Sequence, residues 1–303
     1  MRKTISAALG LAAALFTGAA LAQQPVDWDK IQIRTTDLGN KTYMLAGQGG
    51  NITVAVGSDA IIMIDSQFAP LHDKIKAAVA KLSDKPIRYV VDTHLHGDHT
   101  GGNGGFWQDG AVIVAHRNLK TTLANGSTNA LTGAKTPPAP AAALPTKTYD
   151  TTLTLGVKGR KAELVHMPNA HTQGDTAIWV KDADVLATGD IVSIGSRYPN
   201  VDVGDKGDID GIVAAVDAYL KRADGKTKVV PGHGPLMSRA DLVKYRALLV
   251  DARDAVAALK KDGKSEDQAV AAKPLAASVQ GRAGATEAQS ATFVRLIYRS
   301  VGK

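Results

Sequence analysis

The chain has 303 residues, 44% hydrophobic and 21% charged, with 36 Lys and Arg against 29 Asp and Glu. This is the balance of an ordinary soluble globular protein with a sizeable core, built as one large domain or two small ones. The formal charge of +7 comes without a Lys/Arg run or basic stripe, which argues against a nucleic-acid partner, and the absence of Cys leaves neither a disulfide nor a thiol-linked lipid.

Arg2 and Lys3 precede an almost wholly apolar or small stretch, Ile5 to Leu21, and Ala20-Leu21-Ala22 has the small-x-small form of a cleavage site. Residues 1–22 are therefore expected to be a signal peptide, with the mature domain 23–303 beginning at Gln23. Arg2 and Lys3 leave with the peptide and no acid does, so +7 becomes +5. The apolar run is short for a membrane span, so no stable membrane association is expected after cleavage. A cysteine-free exported protein must be stable without disulfides, and a periplasmic or secreted location is expected.

Lys41 to Gly47, Ile52 to Gly57 and Ala60 to Asp65 are short apolar runs between Gly-rich turns and predict a strand meander. Leu71, Ile75, Val79 and Leu82 recur at helical spacing and predict a helix over 71–82. Ile87 to Val91 predicts a buried strand, followed by another at Ala111 to Ala115. Ser127 to Pro145, rich in Ala, Pro, Gly and Thr without periodicity, predicts an irregular loop or lid. Strands resume at Ala162 to Met167, Thr176 to Val180, Val185 to Thr188 and Lys228 to Val230. Helices are predicted over 209–220, 241–261 and 287–299.

The densest chemistry follows the Ile87–Val91 strand. Thr93-His94-Leu95-His96-Gly97-Asp98-His99 packs three imidazoles and a carboxylate into six positions. A buried core cannot hold such groups unpartnered, and neutral imidazole with carboxylate is the usual donor set for zinc and related divalent ions. His171, Asp190 and His233 each stand just past a predicted strand, where rigid scaffolds present functional side chains. Trp107, near this loop, is expected to pack inside; His72 is expected in solvent, and His116 and His166 are read as structural.

The ordered set His-x-His-x-Asp-His, then His171 after a Pro, Asp190 after Thr-Gly, and Gly-His233-Gly resembles the metallo-β-lactamase superfamily of zinc hydrolases, over roughly Lys41 to Pro235. The resemblance implies an α/β fold, a four-layer αβ/βα sandwich with the metal site at one edge of two packed sheets. It implies His94, His96 and His171 at one metal and Asp98, His99 and His233 at a second, bridged by Asp190. Asp65 resembles a carboxylate that supports a ligand histidine; a simple strand cap is the alternative. Two Zn2+ are expected, with iron or manganese as alternatives, and a metal-bridging hydroxide would attack an acyl carbonyl while Asp98 orients water and carries a proton.

The substrate is read from departures. One class of zinc β-lactamases has Cys where this chain has Asp190, and a carboxylate-gripping Lys where it has Ser193. Asp190 matches glyoxalase II-like thioesterases, lactonases and phosphodiesterases instead, but export separates this chain from cytoplasmic substrates. The expected substrate is a small molecule carrying a cyclic amide or ester, β-lactam first, with thioesters or lactones as alternatives. Ser193, Arg197 and Asn200 are candidates for substrate recognition. A mononuclear iron oxygenase of the same fold is the rival class, although one iron would leave Asp98, His99 and His233 idle.

Overall fold

The computed structural model describes residues 26–194, 198–275 and 285–302. The expected signal peptide and Arg197 lie outside the described residues. In chain order the structure begins with β1 (Arg34–Gly39), β2 (Thr42–Ala46), β3 (Ile52–Val56), β4 (Ile61–Ile64), α1 (His72–Ala80) and β5 (Ile87–Val91). The donor-rich loop follows, with two short helices, α2 (Gly97–Thr100) and α3 (Asn103–Gln108). Next come β6 (Val112–His116), α4 (Arg117–Asn125), a small hairpin of β7 (Ser127–Thr128) and β8 (Lys135–Thr136), and β9 (Lys147–Tyr149). The second half contains β10 (Thr152–Val157), β11 (Arg160–Met167), β12 (Asp175–Val180), β13 (Val185–Ala187), α5 (Ile209–Arg222) and β14 (Lys228–Val230). It closes with α6 (Arg239–Lys261), α7 (Glu266–Ala271) and α8 (Glu287–Ser300). No described helix is long and apolar enough to cross a membrane.

The strands form two main sheets. The first runs β1-β2-β3-β4-β5-β6-β9, antiparallel through β4 and parallel from there. The second runs β10-β11-β12-β13-β14 and is antiparallel except for its last pair. Side chains on a strand alternate between faces, and that alternation builds the layers. Ile62 and Ile64 of β4 meet Leu164, Ile178 and Val185 of the other sheet in a core between the sheets. Ile61 and Met63 point the other way, onto Ile75 and Val79 of α1 and Phe106 of α3. On the outer face of the second sheet, Trp179, Leu186 and Val229 pack against α5, α6 and α8 through Val216, Leu249 and Phe293. The result is helix, sheet, sheet, helix: the αβ/βα sandwich.

The long buried runs and amphipathic helices fall where periodicity predicts, within a few residues. Helix α6 starts earlier than expected, at Arg239, because Ser238 and Asp241 form a reciprocal capping box. The 127–145 segment is less irregular than expected, holding the β7–β8 hairpin and a 3-10 turn at Ala141–Ala143. Strands β1, β9 and β10 and helices α4 and α7 were not predicted. Strand β1 is exposed at five of its six positions, and β9 is three residues long, so neither carries a buried apolar run.

Candidate metal centre

The donors collect at one edge of the sheets. Strand β5 ends at Val91, and the chain bends through Thr93–Leu95 before His96 caps α2 with φ −66° and ψ 145°. The bend sets the His94 and His96 rings edge to face, 4.9 Å between centroids, and the turn of α2 then carries Asp98 and His99 to a second side. The other three donors come from the second sheet: His171 after β11, Asp190 in a 3-10 turn after β13, and His233 after β14.

Two groups result. His94, His96, His171 and Asp190 place one donor atom each within 4.8 Å of one another, and so do Asp98, His99 and His233. Asp190 lies between them: Oδ2 is 3.9 Å from His94 Nε2 and 4.0 Å from His171 Nε2, while Oδ1 is 3.3 Å from His99 Nε2 and 3.4 Å from His233 Nε2. The closure needs glycine. A Cβ on Gly232 would stand 1.9 Å from Asp190 Oδ1, and one on Gly50 would stand 2.2 Å from His99 Cε1.

Partners on the outer side of each ring assign its tautomer. His99 Nδ1 donates to Asp65 Oδ2 at 2.7 Å, His171 Nδ1 to the Asn200 carbonyl at 2.9 Å, and His96 Nε2 to Asp202 Oδ2 at 3.0 Å. Thr93 Oγ1 donates to Asp65 Oδ2 and so accepts from His94 Nδ1 at 3.0 Å. In their neutral forms these four rings therefore turn lone pairs inward. His96 Nδ1 faces His171 Nε2 at 3.0 Å, His99 Nε2 faces His233 Nε2 at 3.3 Å, and His94 Nε2 and Asp190 Oδ1 are buried with no hydrogen-bond partner. Lone pairs aimed at one another inside a protein are unfavourable unless a cation or proton lies between them. Imidazole and carboxylate donors with outer hydrogen bonds fit divalent metal ions.

The electrostatics divide the rings. Burial opposes charge on His99, His96 and His233, yet Asp65 and Asp190 raise the first well above the ordinary imidazole range, Asp202 raises the second, and Asp190 with Asp98 takes the third up to about 9. Burial pushes His94 well below the ordinary imidazole range, and burial with the nearby His96 takes His171 down to about 4. Burial opposes charge on Asp190, but the charge of His99 and the neighbouring nitrogens of His233 and His99 hold its carboxyl well below the usual range. Asp98 is lowered too: burial again opposes charge, and the His233 hydrogen bond together with the charges of His99 and His233 outweighs it. His94, His99 and His171 form a buried floor, whereas the side chains of His96, Asp98 and His233 are 27%, 28% and 31% exposed and mark the open side.

Asp65 braces this centre through His99, the Thr93 amide and the Thr93 hydroxyl. Asp92 accepts from Asn103 behind the loop. Asn200 meets His171 through its backbone carbonyl rather than its side chain. Ser193 is buried, and its backbone bridges that of His233. Two expectations fail: Trp107 is 44% exposed instead of packed inside, and His72 is partly buried, held by Asp73 and Asp109 and set edge-on to Phe106. Residues that sequence reasoning did not single out also support the donors. Asp202 holds His96, Asn51 donates to the carbonyls of Pro231 and Gly234 on either side of His233, and Gln67 donates to the Gly50 carbonyl. Only a Gly-rich approach, Gly47 to Asn51, hinted at any of them.

The sequence pattern of the metallo-beta-lactamase superfamily matches residues 45–236, a span that contains all seven donors. The chain belongs to the metallo-beta-lactamase superfamily. That family assigns it to the metal-dependent hydrolases, with a metal cofactor and small-molecule substrates. The superfamily chain is 26% identical over 198 residues to a metallo-beta-lactamase type 2 of Bacillus cereus, covering 63% of this chain and 70% of that one. It is 26% identical over 150 residues to the 2,4-dinitroanisole O-demethylase subunit alpha of a Nocardioides strain, where the match spans 48% of this chain and only 42% of the relative. Among solved structures, a metallo-beta-lactamase from Pontibacter korlensis aligns with a TM-score of 0.60 at 18% identity, over 73% of this chain and 100% of that one. A sec-alkylsulfatase, Pisa1 from Pseudomonas sp., aligns with a TM-score of 0.62 at 16% identity, over 89% of this chain and 50% of that one. These two likenesses concern the fold.

Proposed function

We propose that this protein is an exported hydrolase that holds two zinc ions and opens a cyclic amide or ester, with β-lactams the first class to test. The observation that carries the reading is the division of seven donors into two groups around one carboxylate, with the inward lone pairs left unshared. When bound, two divalent cations supply a water acidified to a nucleophile near neutral pH and a Lewis acid for the carbonyl.

The chain's own residues do the rest. His94, His96 and His171 would hold one cation and Asp98, His99 and His233 the other, with Asp190 shared between the two groups. Asp98, on the open side, stays ionised, accepts a hydrogen bond from water, aims it at the acyl carbon, and carries its proton to the leaving group. The 127–145 segment borders a cavity of about 730 Å³ with Gln173 and Asp205. None of the seven donors lines that cavity; the segment is proposed as a lid on its mouth, and shortening it should raise KM before it lowers Tm. The Arg2-Lys3 start, the apolar stretch Ile5 to Leu21 and the Ala20-Leu21-Ala22 pattern support a periplasmic or secreted location. The relative named for metallo-beta-lactamase activity supports the β-lactam reading, and lactones or thioesters are the alternative for the same site. A single-iron oxygenase is disfavoured because it leaves the second group of donors without work.

Metal analysis of the purified protein should find close to two zinc ions per chain. The hydrolysis panel is a chromogenic cephalosporin, an aryl ester, a lactone and a phosphodiester, widened by the names of the relatives to a sulfate ester and an aryl methyl ether. His96→Ala or Asp98→Ala should abolish the activity found. A metal-free protein with full activity, or one surviving both substitutions and a chelator, overturns the reading. Mass spectrometry of the exported form should find Gln23 at the N-terminus.

A further inference from the structure

Helix α6 begins beyond residue 236, where the family match ends, yet one of its side chains reaches the backbone of the centre. Tyr245 is buried, its hydroxyl donates to the Ile191 carbonyl at 2.9 Å, and the Ser193 amide donates to that hydroxyl at 3.4 Å. Ile191 and Ser193 follow directly on Asp190. The same stretch is zipped to the His233 turn: the Ile194 amide donates to the His233 carbonyl at 3.0 Å, and the Gly232 amide to the carbonyls of Gly189 and Val192, both at 2.9 Å. The phenol thus holds the turn that presents Asp190, and backbone bonds tie that turn to the one that presents His233. The first group draws its outer supports elsewhere, from Thr93, Asp202 and the Asn200 carbonyl.

We infer that Tyr245 is a positioning residue for the second donor group: through Ile191 and Ser193 it fixes Asp190 and, by way of the backbone bonds between the two turns, His233, and so affects the cation at Asp98, His99 and His233 more than the one at His94, His96 and His171, which shares only Asp190 with it. This rests on the two-cation reading above. A buried carbonyl and amide that lose their partner are costly, and the backbone moves to recover one. Donor positions at a metal are fixed to within roughly 0.2 Å, so a small shift of this turn is felt there.

The test is Tyr245→Phe in the full chain, loaded with zinc and dialysed against graded chelator, with zinc per chain and Tm read with and without chelator. The ring remains, so the core packing is kept. The variant should release one of its two zinc ions at a chelator concentration about ten- to a hundredfold lower than the wild type, while retaining the other. Its Tm deficit should be larger with zinc than without. Tyr219→Phe is the control: that hydroxyl is buried with no hydrogen-bond partner among the described residues, and its loss should leave both zinc ions in place. A wild type with two zinc ions and a Tyr245→Phe variant that matches its release curve overturns the role of Tyr245 alone. Equal Tm deficits with and without zinc do the same, marking a merely structural residue. A wild type that holds no zinc overturns the two-cation reading instead. If the variant does not fold, ring-labelled tyrosine in the wild type decides. The Tyr245 resonance should move further on addition of the second zinc equivalent than on the first, and a resonance that moves on neither overturns the inference.

Discussion

His96 uses its two nitrogens differently, Nε2 toward Asp202 and Nδ1 toward His171. Without the carboxylate the ring is free to change tautomer and turn. Asp202→Ala should therefore weaken retention of the first cation about ten- to a hundredfold in a chelator competition, and Asp202→Asn, whose amide oxygen still accepts, should cost less. Equal retention in all three proteins would remove Asp202 from the centre. A second pair of rings lies outside the centre. His116 and His166 stack at 3.6 Å between centroids and 8° between planes, joining the end of β6 to β11. His116 Nε2 donates to the Asp150 carbonyl and its Nδ1 accepts from the Asn118 amide, while His166 Nε2 donates to the Gln173 carbonyl. Burial lowers both from the usual imidazole range, His116 further through the charge of His166; Asp150 opposes the shift at His116 and Arg117 adds to it. A lowered histidine contributes stability that is complete above its unfolded value, roughly 6.5, and is lost as pH falls through it, because the unfolded chain takes up protons that the folded one refuses. Tm should fall from about pH 7 to about pH 5 more steeply in the wild type than in His166→Gln; parallel curves would refute it.

At the level of elements, the approach of the β2–β3 loop to the centre is the tightest constraint. Gly50 lies against the His99 ring, its amide donates to the Asp98 carbonyl, and its own carbonyl is held by Gln67. Gly50→Ala should displace His99 and empty the second donor group while circular dichroism stays native; a variant with full metal content would show that the ring has room to move. The elements missed in sequence share a cause. Strand β9 has three residues and exists because β6 offers it a parallel edge. Helix α4 buries only Leu119 and Thr122 of its nine residues, with Leu123 partly buried beside them. A three-residue strand and a helix with two leucines on its apolar face give little to read, whereas β4, Ile-Ile-Met-Ile and buried at every position, is an unbroken apolar run that stands out.

Across the whole molecule, the donors join two sheets. His94, His96, Asp98 and His99 follow the first, and His171, Asp190 and His233 follow strands of the second. A cation held by both halves is absent from the unfolded chain and stabilises the fold by about 2.7 kcal/mol when free metal exceeds Kd a hundredfold. Stripping the metal with a chelator should lower Tm by about 5 °C or more, reversibly on adding zinc. An unchanged Tm would mean that the two halves of the donor set do not share cations.

The sequence alone pointed to the seven candidate donors, and its resemblance to the superfamily implied the order of layers. Ligand chemistry tolerates few residue types at fixed local spacing, and strands enclosed on both faces must be apolar throughout. Only the tertiary structure decided which nitrogen of each histidine faces inward, that Asp202, Asn51 and Tyr245 support the centre, and that Trp107 is exposed while His72 is partly covered. These depend on partners distant in the chain, Asp202 lying 106 residues from His96 and Tyr245 lying 54 from Ile191. A single Asp, Asn or Tyr in a stretch without motif carries no local trace of the neighbour that folding gives it.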